Sequence, residues 1–152
     1  MANRLLTLSD SYRQELVTKI EEYYNNNSIT IDQNGCHIWQ LGLSSRIRRM
    51  SSQYGLMNVK IESKCDDTPS CRIKPGAHVV VYFLKTNLVP EKGVFDISHL
   101  CHNSLCVNYE HLNREPHIIN MDRYTSECKT KKRCTGHVDL CNTKVYPKCI
   151  IN

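Results

Sequence analysis

Two stretches in the second half of the chain concentrate residues that bind soft metal ions. Cys101-x4-Cys106-x4-His111 places three thiol or imidazole donors within eleven residues, and Cys128-x5-Cys134-x2-His137-x3-Cys141 places four within fourteen. Zinc takes four nitrogen or sulfur ligands in a tetrahedron, and short loops between ligands limit the entropy lost on closing the site. The second stretch is self-sufficient as a Cys3His set. The first needs one more ligand, for which Cys36 is the choice and Cys65 or Cys71 the substitutes. Sites filled by four protein ligands leave no open coordination position, so these zincs are expected to be structural. Cys65, Cys71 and Cys149 are left as free thiols.

A different chemistry sits beside the first stretch, in Ser98-His99-Leu100-Cys101-His102-Asn103. A neutral imidazole with an ordinary pKa of about 6.5 suits a general base at physiological pH. His99 could instead ligate zinc, standing two residues before Cys101, and His102 reads as a bystander in the loop. Positive charge is gathered in Arg46, Arg48 and Arg49 and again in Lys129, Lys131, Lys132 and Arg133, within a chain of net charge +5. Such clusters fit phosphate contacts and equally fit solvated surface.

The run Ser98-His99-Leu100-Cys101-His102-Asn103-x2-Cys106-x-Asn108-x2-His111-Leu112 resembles the His-Cys box of homing endonucleases, within the ββα-metal (His-Me finger) nucleases. Gly35-Cys36-His37-Ile38-Trp39, Tyr54-Gly55 and Ala77-His78 occur upstream in the order such nucleases use, so the likeness spans roughly residues 35 to 141. Tyr109 stands where the family often has Pro, a departure confined to the zinc loop. The resemblance implies an α+β fold with a ββα-metal core, an antiparallel DNA-binding sheet and two structural zinc sites. It implies His99 as the base that activates water and Asn120, on the helix after the zinc loop, as the magnesium ligand. The first zinc would be held by Cys36, Cys101, Cys106 and His111, the second by Cys128, Cys134, His137 and Cys141. An arginine on the sheet would contact the scissile phosphate; Arg72 matches its place best, with Lys60 and Arg49 as alternatives. The implied activity is magnesium-dependent hydrolysis of double-stranded DNA to 5′-phosphate and 3′-hydroxyl ends, by a homodimer cutting both strands at a specific site. A nonspecific nuclease with the same site is one rival; an inactive zinc-bound DNA-binding module is another.

Several elements must position these groups. Ser11-x-x-Gln14 has the form of a capping box before a helix carrying Leu16, Ile20 and Tyr23 or Tyr24, which should stop in Asn25-Asn26-Asn27-Ser28. Residues 29–31, 36–39 and 54–61 and a short stretch at 72–74 read as strands of an antiparallel sheet, with a turn at 65–71. Residues 77–85 are expected to be helical despite the strand propensity of Val79-Val80-Val81. Val94 to Ile97 should be the strand that delivers His99, and Pro116 should open a helix running to about Glu127. Residues 44–61 form the candidate ribbon for the major groove, with Arg46, Arg48, Arg49, Gln53, Asn58 and Lys60 facing DNA as base readers or phosphate contacts. The organisation expected is one domain: residues 1–28 an N-terminal helix, 29–75 the DNA-binding sheet, 76–127 the nuclease core with the first zinc loop, and 128–152 the second zinc loop and tail. Val145 to Asn152 would contact a second subunit or fold back on its own core.

With 40% apolar residues, one Trp and two Phe, 152 residues would fill only a shallow core, so cross-links are needed. No signal-peptide pattern opens the sequence and no stretch approaches a membrane span. A reducing, intracellular and nuclear setting follows as the expectation, and it favours zinc over disulfides for nine cysteines.

Overall fold

The computed structural model describes residues 2–44, 53–61, 71–125, 128, 134, 136–138 and 144–150. The chain is mixed α+β, with small antiparallel ladders tied together by loops. A 3₁₀ turn, Ala2–Thr7, leads into α1 (Asp10–Asn25). The helix is capped by Ser9 rather than Ser11, the Ser9 hydroxyl accepting from the Tyr12 N–H, so it starts at Asp10, earlier than the capping-box pattern implies. It ends, as the polar run requires, at Asn25, with Asn27 in the left-handed region at φ 59°.

β1 (Ile29–Ile31) pairs with β2 (His37–Trp39), and β3 (Val59–Ile61) with β4 (Cys71–Ile73). These are separate two-stranded ladders and not one sheet. The expected strand 54–61 is reduced to β3, because Gly55 and Leu56 are spent on isolated bridges to Leu43 and Gly76. A β-carbon at Gly55 would overlap the Trp39 ring, so only glycine lets the chain pass this close to the buried indole. Residues 45–52 of the proposed groove ribbon, with Arg46, Arg48 and Arg49, lie outside the described residues, as do Cys65, Cys141 and the Lys129 to Arg133 cluster; Gln53, Asn58 and Lys60 are described.

α2 (Ala77–Thr86) forms through its three consecutive valines. Ala77, Val79, Val80, Tyr82 and Phe83 are all buried in the core with Leu5, Leu16, Trp39 and Met57, and this burial outweighs the modest helix penalty of β-branched residues. Asn87, at φ 58°, closes the helix in a left-handed cap.

β5 (Phe95–His99) and β6 (Leu112–Pro116) make the longest ladder, in a register that sets Asp96 opposite Glu115 and His99 opposite Leu112. The loop between them carries Cys101, Cys106 and His111. Pro116 ends β6 instead of opening the helix, and α3 (His117–Thr125) follows directly. Two short strands, β7 (His137–Val138) and β8 (Val145–Tyr146), pair near the C-terminus. The tail folds back on its own chain: Tyr146 and Cys149 are buried, and the Ile150 N–H donates to the Leu100 carbonyl at 2.8 Å.

No helix among the described residues is long and apolar enough to cross a membrane.

Candidate active site and metal centres

Cys36, Cys101, Cys106 and His111 converge so that one ligand atom from each lies within 4.8 Å of the others. The convergence has a backbone cause. β2 runs alongside the β5–β6 loop, with the Trp39 N–H donating to the Leu105 carbonyl and the Val107 N–H to the His37 carbonyl, which brings Cys36 across 75 positions to His111. Zinc–sulfur and zinc–nitrogen bonds of about 2.3 and 2.0–2.1 Å set a tetrahedral S···N edge of about 3.5 Å. Cys36 Sγ and Cys106 Sγ stand 3.5 and 3.6 Å from His111 Nδ1. Burial and neighbouring thiol charge push the Cys36 thiol up to about 11, whereas hydrogen bonds from Cys101 and then from backbone N–H groups pull Cys106 down to about 5.

The second cluster consists of Cys128, Cys134, His137 and Cys149. His137 Nε2 lies 3.7, 3.3 and 3.3 Å from the three sulfurs, again near a tetrahedral edge. Its Nδ1–H donates to Asp122 Oδ2 at 2.6 Å, the carboxylate partner that commonly fixes the tautomer of a metal-binding imidazole. Cys149, left as a free thiol by spacing alone, takes the fourth position in this cluster; Cys141, the expected ligand, is outside the described residues. Cys71 belongs to neither cluster and accepts a hydrogen bond from Arg4. The chain therefore carries two Cys3His clusters, each of which could hold a metal ion.

A small open pocket is lined by Tyr54, His99, His102, Ser104, Asn120, Arg123 and Tyr124. His99 and Asn120, 21 positions apart, are brought together here by β5 and α3. His99 Nε2 is 3.1 Å from the Cys106 carbonyl, which can only accept, so the ring proton resides on Nε2 and the lone pair on Nδ1. The imidazole keeps partial solvent access, yet His78 packs against it with ring centroids 4.5 Å apart. Burial lowers the His99 pKa to about 4, the bond to the Cys106 carbonyl opposing that shift, and the neighbouring His102 adding to it. His78 is held well below the ordinary histidine value by burial and then by His99.

Asn120 donates Nδ2–H to Asp96 Oδ2 at 2.8 Å. Behind it, Arg123 donates through Nε and a terminal nitrogen to the two oxygens of Glu115, at 2.6 and 2.7 Å, and through its other nitrogen to Cys149 Sγ at 3.4 Å. Burial works against the Arg123 charge, but the Glu115 carboxylate outweighs it and raises the pKa. Because both partners are buried, Glu115→Ala should strand a guanidinium and destabilise the fold by about 3–5 kcal/mol in urea unfolding. A loss below about 1 kcal/mol would show that solvent reaches the pair.

Arg72 is not brought to this pocket. Its pairing with Lys60 in the β3–β4 ladder sets both on an exposed face, in a cleft shared with Asn58, Tyr12, Glu15 and Lys19. Gln53 is nearer the pocket, its carbonyl accepting from the Ser104 hydroxyl at 2.6 Å. His78, Asp96, Glu115 and Arg123 were not singled out as site residues by the sequence. The Ala77-His78 pair was the one available signal for His78.

Comparison with protein-family models, with curated proteins and with solved structures found no match.

Proposed function

We propose that the chain is a zinc-stapled, magnesium-dependent DNA endonuclease, cutting both strands at a specific site as a homodimer in the nucleus. The observation that carries this reading is the meeting of His99 and Asn120 in one pocket, with the His99 Nε2 proton committed to the Cys106 carbonyl. The order of β5, metal-binding loop, β6 and α3 is the order the His-Cys box resemblance implies, which supports a ββα-metal core. The Cys3His donor sets and their edge lengths favour zinc in both clusters.

In this reading His99 takes a proton from a water molecule at Nδ1. The carbonyl bond orients the ring and restores part of the basicity that burial removes, and burial keeps the imidazole neutral and ready to accept. Asn120 offers an amide oxygen, a hard donor that suits magnesium, and DNA phosphate would complete the coordination. The ion's chemistry is to stabilise the negative charge on the pentavalent phosphate and the leaving 3′ oxygen. Arg123 is engaged by Glu115 and holds the pocket wall. Arg72, Lys60 and Lys19 form a basic face for backbone phosphates beyond the scissile one, with Asn58 beside them.

Supercoiled plasmid and a random-sequence DNA library, each incubated with zinc-loaded protein in the presence or absence of added magnesium, test the reading. Magnesium-dependent discrete fragments are the expected result. A smear would replace site specificity with a nonspecific nuclease, and DNA binding with no cleavage would leave an inactive DNA-binding module.

A further inference from the structure

The Asn120 carboxamide has two nearly isosteric ends, an oxygen that can hold a hard cation and an NH2 that cannot. Nothing in its shape decides which end faces the pocket. Asp96 decides it. A carboxylate accepts and does not donate, so the contact of 2.8 Å between Asp96 Oδ2 and Asn120 Nδ2 forces the NH2 end toward Asp96. Asp96 is not part of the pocket lining, whereas Asn120 is, so the end turned away from Asp96 is the one left to the pocket.

Asp96 is itself held in place. It sits in β5 opposite Glu115, three positions before His99 on the same strand. The same Oδ2 accepts from His117 Nδ1 at 2.8 Å, and His117 is the first residue of α3. Two α3 side chains one turn apart, His117 and Asn120, thereby converge on one carboxylate of β5. The strand that ends in the base also sets the angle of the helix residue across the pocket.

We propose that Asp96 is a positioning residue that presents the Asn120 oxygen to a divalent cation. This rests on the assignment of Asn120 as the magnesium ligand. A purely structural role, a carboxylate steadying the start of α3, predicts a different pattern: lost thermal stability with an unchanged metal requirement.

The test uses full-length zinc-loaded protein as wild type, Asp96→Ala, Asn120→Asp and the double variant Asp96→Asn/Asn120→Asp. Two readouts are taken. The first is the magnesium concentration that half-saturates plasmid cleavage. The second is the Mn2+ concentration that broadens the Asn120 side-chain amide signal in a 15N-labelled sample; for the two variants that carry Asn120→Asp, the adjacent backbone amides are followed instead. Asp96→Ala should raise both concentrations about 10–100-fold, as loss of an outer hydrogen bond to a metal ligand does, with the rate at saturating magnesium nearly unchanged. Asn120→Asp sets two carboxylates side by side, and the added charge should tighten cation binding whatever the orientation; the double variant Asp96→Asn/Asn120→Asp restores the wild-type charge with a donor facing an acceptor and should half-saturate well below Asp96→Ala. Unchanged half-saturation in Asp96→Ala, or a double variant that half-saturates no better than Asp96→Ala, overturns the inference. Should the wild type bind Mn2+ at Asn120 without cutting DNA, the nuclease reading fails while the broadening still decides the role of Asp96. Absence of Mn2+ broadening in the wild type overturns the inference directly.

Discussion

Replacing His99 with Ala should lower the rate of magnesium-dependent DNA cleavage by about 10²–10⁴-fold, the usual contribution of a positioned general base. The effect should fall on the rate at saturating DNA and magnesium. DNA affinity should be retained, because the exposed basic face with Lys19, Lys60 and Arg72 belongs to a separate cleft. The substitution also removes the ring that packs against His78 and the bond to the Cys106 carbonyl, so unfolding of the variant must be measured alongside. A folded His99→Ala protein with full cleavage would end the assignment of this residue. Asn120→Ala gives the companion control, since it should also abolish cleavage but leave the imidazole in place.

With zinc in both clusters, as proposed, removing it should cost the protein its fold. A strong chelator is expected to abolish cooperative unfolding, and metal analysis of untreated protein should return about two zinc ions per chain, one for each four-ligand cluster. Cys36→Ser and Cys149→Ser should each lose one ion, and Cys71→Ser should lose none. A Cys149→Ser protein with both ions intact would return the fourth position of the second cluster to another residue. The first cluster is the more consequential of the two. It anchors the β1–β2 hairpin to the loop that carries the Cys106 carbonyl, so its loss should also release His99 from its orienting bond.

The local part of this architecture was legible in the residues. Cys101, Cys106 and His111 are close in sequence, and their spacing suits a tetrahedral ion; the need for a fourth ligand pointed to Cys36 but left Cys65 and Cys71 as substitutes, and the fold brings Cys36 to the cluster. α3 and the strand that ends at His99 were visible in pattern, and α2 was expected as a helix against its valines. What the sequence concealed has a common physical origin. β6 contains Asn113, Arg114 and Glu115, and a strand with so many polar groups reads as surface until Arg123 is seen to pair with Glu115 in the interior. Cys149 lies twelve positions beyond His137, and its approach depends on the pairing of β7 with β8, which spacing cannot reveal. The Asp96–Asn120 contact joins a strand to a helix 24 positions later, with no local motif to announce it. Arg72 was placed by chain order, yet strand register decides its direction, and the register with Lys60 turns it outward.

The two clusters differ in how far apart their ligands lie along the chain. Cys128 to Cys149 can be gathered by a short segment at little loop-closure cost, whereas Cys36 must find partners 65 to 75 positions away, so the entropic cost of its closure is larger. Closing the first site therefore draws the β1–β2 hairpin and the β5–β6 loop together across the intervening chain, which includes α2. Metal capture at the first site would be the costlier of the two closures, and the orienting bond of His99 would form with it. In the proposed nuclease, a chain that had closed only its C-terminal cluster would lack the oriented base, so the capacity to cut would be confined to molecules whose first cluster is complete.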